Sequence, residues 1–174
     1  LCMKQLMHLP KLSHLYLEYS SLDDSMTEPL QALSSLRHLS LNGTNITKLT
    51  MQRIGKLVNL ESLNLRALAH HKDGIGDKGA WELRTLRQLK VLNLTMNMDL
   101  SSSGFEFLKH LTNLRSLYLT DTGFNEGSVS YLTDLKQLQI LHIPEISPFK
   151  LRSISHLPIR NLNCGNLESH DVEH

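Results

Sequence analysis

The motif Leu-x-x-Leu-x-Leu recurs along the chain at near-constant spacing, and this recurrence limits the fold more than any other feature. Its copies are Leu12/Leu15/Leu17, Leu36/Leu39/Leu41, Leu60/Leu63/Leu65, Leu89/Leu92/Leu94, Leu114/Leu117/Leu119 and Leu138/Leu141/Ile143, with a weaker seventh at Ile159/Leu162/Cys164. Successive copies begin 24, 24, 29, 25, 24 and 21 residues apart. Each is preceded by an apolar pair three residues apart: Leu6/Leu9, Leu30/Leu33, Ile54/Leu57, Leu83/Leu86, Leu108/Leu111, Leu132/Leu135 and Ile154/Leu157. A spacing of i, i+3 is one face of a short helical segment, whereas Leu-x-Leu has the period of a strand. A unit this short cannot bury its own leucines, so the units must stack and share them as continuous columns. The pattern predicts parallel strands near residues 14 to 18, 38 to 42, 62 to 66, 91 to 95, 116 to 120 and 140 to 144 in one curved sheet.

Over residues 6 to 167 the sequence resembles the leucine-rich-repeat family, in the class with coils of about 24 residues and helices on the convex side. The resemblance implies an α/β fold: a right-handed solenoid of about seven coils over residues 1–167, with a parallel concave sheet, short convex helices and a polar tail at 168–174. In that family Asn often stands five residues beyond the second motif leucine and hydrogen-bonds the neighbouring turn. Here the position holds Ser20, Thr44, Leu68, Asn97, Thr122, Ile146 and Leu167. Hydroxyls do that work weakly and Leu68, Ile146 and Leu167 not at all, so local distortion is expected at the third, sixth and seventh coils.

Composition narrows the function. Eighteen Lys plus Arg against seventeen Asp plus Glu leave a net charge of +1, too little for a global field that attracts nucleic acid. The longest apolar runs are three residues, such as Leu15-Tyr16-Leu17, far short of the ~20 that a membrane span needs. Leu1-Cys2-Met3-Lys4 lacks the basic-then-apolar layout of a signal peptide, and two cysteines at opposite ends argue for a reducing, cytoplasmic setting. Residues 1–9 read as the convex half of a coil whose strand is missing, leaving Leu6 and Leu9 at an open end. An array of this kind is expected to be part of a longer protein or to be capped by its own oligomerisation.

With the leucines inside, the residues between them line the concave sheet. These are His14, Tyr16 and Glu18; His38, Ser40 and Asn42; Ser62, Asn64 and Arg66; Val91, Asn93 and Thr95; Ser116, Tyr118 and Thr120; Ile140, His142 and Pro144; and Asn161, Asn163 and Gly165. Tyr and Arg are frequent anchors of protein interfaces, which makes Tyr16, Tyr118, His14, His38, Arg66 and His142 the partner-binding candidates. Against this, aromatic residues favour strand positions for packing reasons alone. One margin, Ser13, Arg37, Glu61, Lys90, Arg115, Gln139 and Arg160, is loosely basic, and the other carries Glu18, Asp121 and Glu145, interrupted by Arg66. His14 and His38 share a register and should lie about one strand spacing, ~5 Å, apart, but the third place in line is Ser62, so no metal site is expected. His70 and His71 beside Asp73 and Asp77 read as a turn, given Gly74, Gly76 and Gly79. Trp81 stands where other coils have Glu28, Gln52, Glu106, Ser130 and Arg152; it either covers the inserted loop or forms a contact outside the array, and packing within the molecule is the first expectation.

No Gly-x-Ser-x-Gly elbow, Gly-rich phosphate loop or paired zinc motif is present. The chain therefore reads as non-catalytic, without a cofactor, binding a protein partner through its concave sheet. An intracellular adaptor or the substrate-recognition part of a larger protein is the first expectation. The ligand-binding segment of an immune or cell-surface receptor, and a structural spacer beside a catalytic domain, are the alternatives.

Overall fold

The computed structural model describes residues 3–67 and 74–165. Seven parallel strands lie side by side in chain order: β1 (His14–Tyr16), β2 (His38–Ser40), β3 (Ser62–Asn64), β4 (Val91–Asn93), β5 (Ser116–Tyr118), β6 (Ile140–Ile143) and β7 (Asn161–Cys164). Their register joins the second leucine of every motif into one row, Leu15, Leu39, Leu63, Leu92, Leu117, Leu141 and Leu162. All six strands expected at five residues are shorter, three residues in β1 to β5 and four in β6, but in the first five coils the parallel ladder runs on past their ends. Leu17 N donates to Ser40 O (2.9 Å), and the equivalent bonds from Leu41, Leu65, Leu94 and Leu119 repeat it.

The other layer consists of α1 (Lys48–Ile54), α2 (Gly76–Trp81) and α3 (Pro148–Leu151) with 3₁₀ turns, the longest at Ser102–His110. Its building device is the apolar pair three residues apart. Leu33 N bonds Leu30 O, Leu57 N bonds Ile54 O, Leu86 N bonds Leu83 O, and Leu111, Leu135 and Leu157 do the same. An i to i−3 bond sets both members of the pair on one side of the backbone, which explains why short tight turns suffice where longer helices would not fit. Both layers drain into one core. Leu39, Leu63, Leu92, Leu117 and Leu141 are at most 2% exposed, and so are Leu33, Leu57, Leu86, Leu111 and Leu135. The open ends behave otherwise, with Leu9 49% and Leu162 47% exposed, although Leu6 is buried.

After each of the first five strands the chain leaves the sheet through a residue in the left-handed region: Tyr19, Gly43, Ala67, Met96 and Asp121. The distortion expected at the third coil is absent from its strand exit, since Ala67 keeps this conformation and its N donates to Thr95 O (2.8 Å). The extra length lies beyond it, before Ile75, whose burial matches that of Leu22, Ile46, Leu100 and Phe124 at the equivalent places. The sixth coil does depart: no left-handed residue follows β6 among the described residues. That coil is two residues short before Ile146, which is buried and fills the place that Phe124 holds in the fifth. The residue thus closes the core instead of interrupting a polar ladder. Leu68 and Leu167 lie outside the described residues. Asn97 alone spans coils from this position, donating to Leu65 O (2.9 Å) as well as Leu94 O (2.8 Å), whereas Ser20, Thr44 and Thr122 reach only Leu17 O, Leu41 O and Leu119 O of their own coils.

A second polar tie alternates along the array. Asp24 accepts from the backbone N of Thr47 and Thr50 and from both hydroxyls at the start of α1. Asp77 accepts from Ser101 N and Oγ, and Glu126 from Ser147 N. Carboxylates of the first, third and fifth coils thus meet the unpaired amides that begin the convex segments of the second, fourth and sixth. Burial alone would raise the Asp24 carboxyl, but the Thr47 and Thr50 hydrogen bonds outweigh it and hold the group below the usual carboxylate range. Glu126 is lowered by its bonds to Ser147.

Candidate concave recognition face

Three rows of side chains project from the sheet. The row one residue past the second leucine is Tyr16, Ser40, Asn64, Asn93, Tyr118, His142 and Asn163, held in line by the strand register. Tyr16 stands at one end, 62% exposed. Tyr118 is half-buried, with its ring edge-on to His142 at 4.9 Å between centroids. Between the two tyrosines, Asn64 Oδ1 accepts from Arg66 N (3.1 Å) and Asn93 Oδ1 from Thr95 N (2.9 Å). This local bond fixes each amide and leaves its NH₂ group without a protein partner among the described residues. Tyr16, Glu18, His38, Ser62, Asn64, Val91, Asn93 and Tyr118 enclose a shallow groove of about 250 Å³.

His14 and His38 stack at 4.2 Å with their planes 11° apart, and Ser13 Oγ lies 2.8 Å from His14 Nδ1. Among the described residues no group of three or more His, Cys, Asp or Glu is placed to hold a metal. Of the six candidates, Tyr16, His38 and Tyr118 line the groove, His14 flanks it through His38, and His142 backs Tyr118. Arg66 does not join them: half-buried at the margin, it places Nη2 3.8 Å from Met96 Sδ.

Several residues expected on the surface are buried. Ser40 and Asn42 are 3% and 8% exposed, and Thr95 and Thr120 are buried as well. Asn42, Thr95 and Thr120 each directly precede a left-handed residue, where the chain bends off the sheet. Ser40 Oγ donates to Glu18 Oε1 (2.5 Å), and Asn42 Nδ2 to the Tyr19 hydroxyl (3.1 Å). Asn42 Oδ1 and His142 Nε2 are buried without a partner among the described residues. Tyr19, 75% exposed, was not a sequence candidate. Its place is given away only by Gly43, the residue at the same position one coil on, whose added Cβ would fall 2.6 Å from the Tyr19 ring. The basic margin is also less basic than its sequence. Glu61 sits between Lys90 (2.6 Å) and Arg37 (2.8 Å), and their hydrogen bonds hold its carboxyl below the usual range. Arg115 and Arg160 are left as the cations of that edge without an ion pair among the described residues.

The comparisons with known proteins bear on the fold. An internalin from Listeria monocytogenes superposes with a TM-score of 0.51 at 21% identity, covering 92% of this chain. With the leucine rows and the unbroken parallel register, that likeness decides the architecture. The chain is a leucine-rich-repeat solenoid. A plant peptide hormone receptor, RGFR1 in complex with RGF2, is a second likeness, with a TM-score of 0.52, 16% identity and 88% of this chain covered. The solenoid spans 56% of the internalin and 28% of the receptor. No protein-family model and no curated protein matches the sequence.

On the convex side of the solenoid, Trp81 packs within the molecule as its sequence position suggested. Its ring meets His110 edge-on at 5.7 Å, and the Arg84 guanidinium lies 5.1 Å from its centroid. It is nonetheless 38% exposed.

Proposed function

We propose that this solenoid is a non-catalytic protein-recognition module that binds its partner through the concave sheet, as an intracellular adaptor or the substrate-recognition part of a larger protein. The observation that carries this reading is the groove between Tyr16 and Tyr118, floored by Asn64 and Asn93 with their NH₂ groups unspent. Rigid aromatic edges with hydrogen-bond donors between them suit an extended peptide lying across the strands, its apolar side chains against the rings and its carbonyls toward the amides. Seven strands give a face of roughly 500 Å², below the ~800 Å² per partner of a standard interface, so the rim loops contribute or the affinity is modest. A second reading, the ligand-binding segment of a receptor, is favoured by the likeness to a plant peptide hormone receptor, RGFR1, solved in complex with RGF2.

The test is Tyr16→Ala with Tyr118→Ala, assayed against a partner isolated from the native source. Both side chains project away from the leucine rows, so truncation removes contact area without opening a core cavity. Each interface tyrosine contributes on the order of 1 to 2 kcal/mol, and affinity is expected to fall at least about tenfold while circular dichroism is unchanged. A well-folded double variant that holds its partner as tightly as the parent refutes the concave reading.

A further inference from the structure

Of the residues that line the concave groove, Glu18 alone is a carboxylate and none is Lys or Arg. Its Oε1 accepts from Ser40 Oγ (2.5 Å), on a residue only 3% exposed, and this bond holds the carboxylate in place. Among the described residues Glu18 makes no ion pair. It follows Tyr16 by two residues and so stands on the same side of the chain, beside a ring that is 62% exposed.

The charged and titratable groups nearby leave that carboxylate uncompensated. His14 and His38 are stacked on each other, and Arg37 is bound to Glu61 on the opposite margin. Arg66, two coils along the same row, is separated from Glu18 by Asn42 and lies with Nη2 against Met96 Sδ. Asp121 and Glu145, the other charged members of this margin, are acidic and likewise without an ion pair among the described residues.

We propose that Glu18 selects the ligand: the groove takes an extended peptide with an arginine on Glu18 and Tyr16 and an apolar side chain against Tyr118, about six residues away. The inference rests on the concave reading and adds to it the charge of the ligand and the spacing of its anchors. A guanidinium pairs with a carboxylate through its planar fork while its face lies on an aromatic ring, so arginine fits this pair of residues better than lysine. Tyr118 is on β5, four strands from β1. At ~4.8 Å per strand that is ~19 Å, which an extended chain covers in about six residues at ~3.3 Å each. A peptide with an acidic residue in place of the arginine meets the Glu18 carboxylate and is rejected.

The probe is a capped heptapeptide, Arg-Ser-Ala-Ser-Ala-Ser-Leu, titrated into the isotope-labelled whole protein while amide NMR shifts are followed. Saturable shifts are expected on β1 to β5, and the same peptide with glutamate in place of arginine should bind at least about fivefold more weakly. Glu18→Gln should erase that preference and Glu18→Arg reverse it. Glu145→Gln removes a carboxylate from the same margin outside the groove, and should change either affinity by no more than about twofold. Circular dichroism checks that each variant is folded. Absence of saturable binding, equal affinity for the two peptides, or a preference that survives Glu18→Gln overturns the proposal. The partner isolated from the native source separates this failure from failure of the concave reading. If Tyr16→Ala with Tyr118→Ala releases it and Glu18→Arg does not, the groove is used but Glu18 does not select. If neither variant weakens binding, both readings fall.

Discussion

Asp24 shows how much one side chain can join. It lies on the 3₁₀ turn Asp24–Met26 of the first coil, yet its carboxylate closes the start of α1 in the second by four hydrogen bonds from Thr47 and Thr50. Its folded pKa is depressed, so its contribution is complete above the unfolded carboxylate range near ~4 and is lost as pH falls through the lower folded value. Asp24→Asn is therefore expected to melt lower than the parent at neutral pH, by the equivalent of about 1 kcal/mol for a cap of this kind. The gap should begin to narrow as pH falls below about 4 and close below the depressed folded value, where the parent's carboxylate is itself protonated. Melting curves across that range check it, and a gap independent of pH shows that the carboxylate charge contributes nothing. Residues of this sort were the hardest to read from sequence. Asp24 has no periodic signature, and the donors it accepts from become visible only when the coils are stacked. The Glu61 bridge to Arg37 and Lys90 was hidden for the same reason, although all three residues were already placed on one margin.

At the scale of the element, the repeat dictates more than strands. Because each coil must leave the sheet and return within a few residues, the strand exits adopt one backbone conformation at Tyr19, Gly43, Ala67, Met96 and Asp121. Only one of these is glycine, which is why sequence did not disclose the device, and why Asn42, Thr95 and Thr120 were expected on the surface that the chain in fact bends away from. The leucine positions, by contrast, were legible because burial in a shared column leaves no other residue type comfortable there. The turn after β5 depends on close backbone approach. Gly123 N donates to Leu100 O at 3.0 Å, and an added Cβ would fall 2.1 Å from that same oxygen. A backbone carbonyl cannot rotate away as a side chain can. Gly123→Ala is thus expected to cost about 2 kcal/mol or more, read as a lower denaturant midpoint, with the fourth and fifth coils separating locally. A midpoint equal to the parent's would mean that this turn relaxes freely.

At the scale of the whole molecule the solenoid has no centre, only neighbours. Each coil is stabilised by the two that flank it, so the same substitution has consequences set by its place along the array. Leu63 and Leu117 are fully buried between coils on both sides, whereas Leu162 belongs to the same row but is 47% exposed on β7. Putting a carboxylate at either inner position leaves an unpaired charge in the core, at a cost of several kcal/mol. At Leu162 solvent can reach the charge, and the cost should stay near about 1 kcal/mol. For a chain of this length each kcal/mol moves the melting temperature by roughly 2 to 4 °C. Leu63→Asp and Leu117→Asp should therefore melt about 10 °C or more below the parent, and Leu162→Asp within a few degrees of it. Hydrogen exchange adds the spatial part of the prediction. In Leu117→Asp the loss of amide protection should be greatest on β4, β5 and β6 and should fade toward β1, because stability passes from coil to coil through shared columns. Uniform loss along the sheet would show that the solenoid unfolds as a single cooperative unit, and equal melting temperatures for Leu117→Asp and Leu162→Asp would show that the row is not the continuous interior column its register describes.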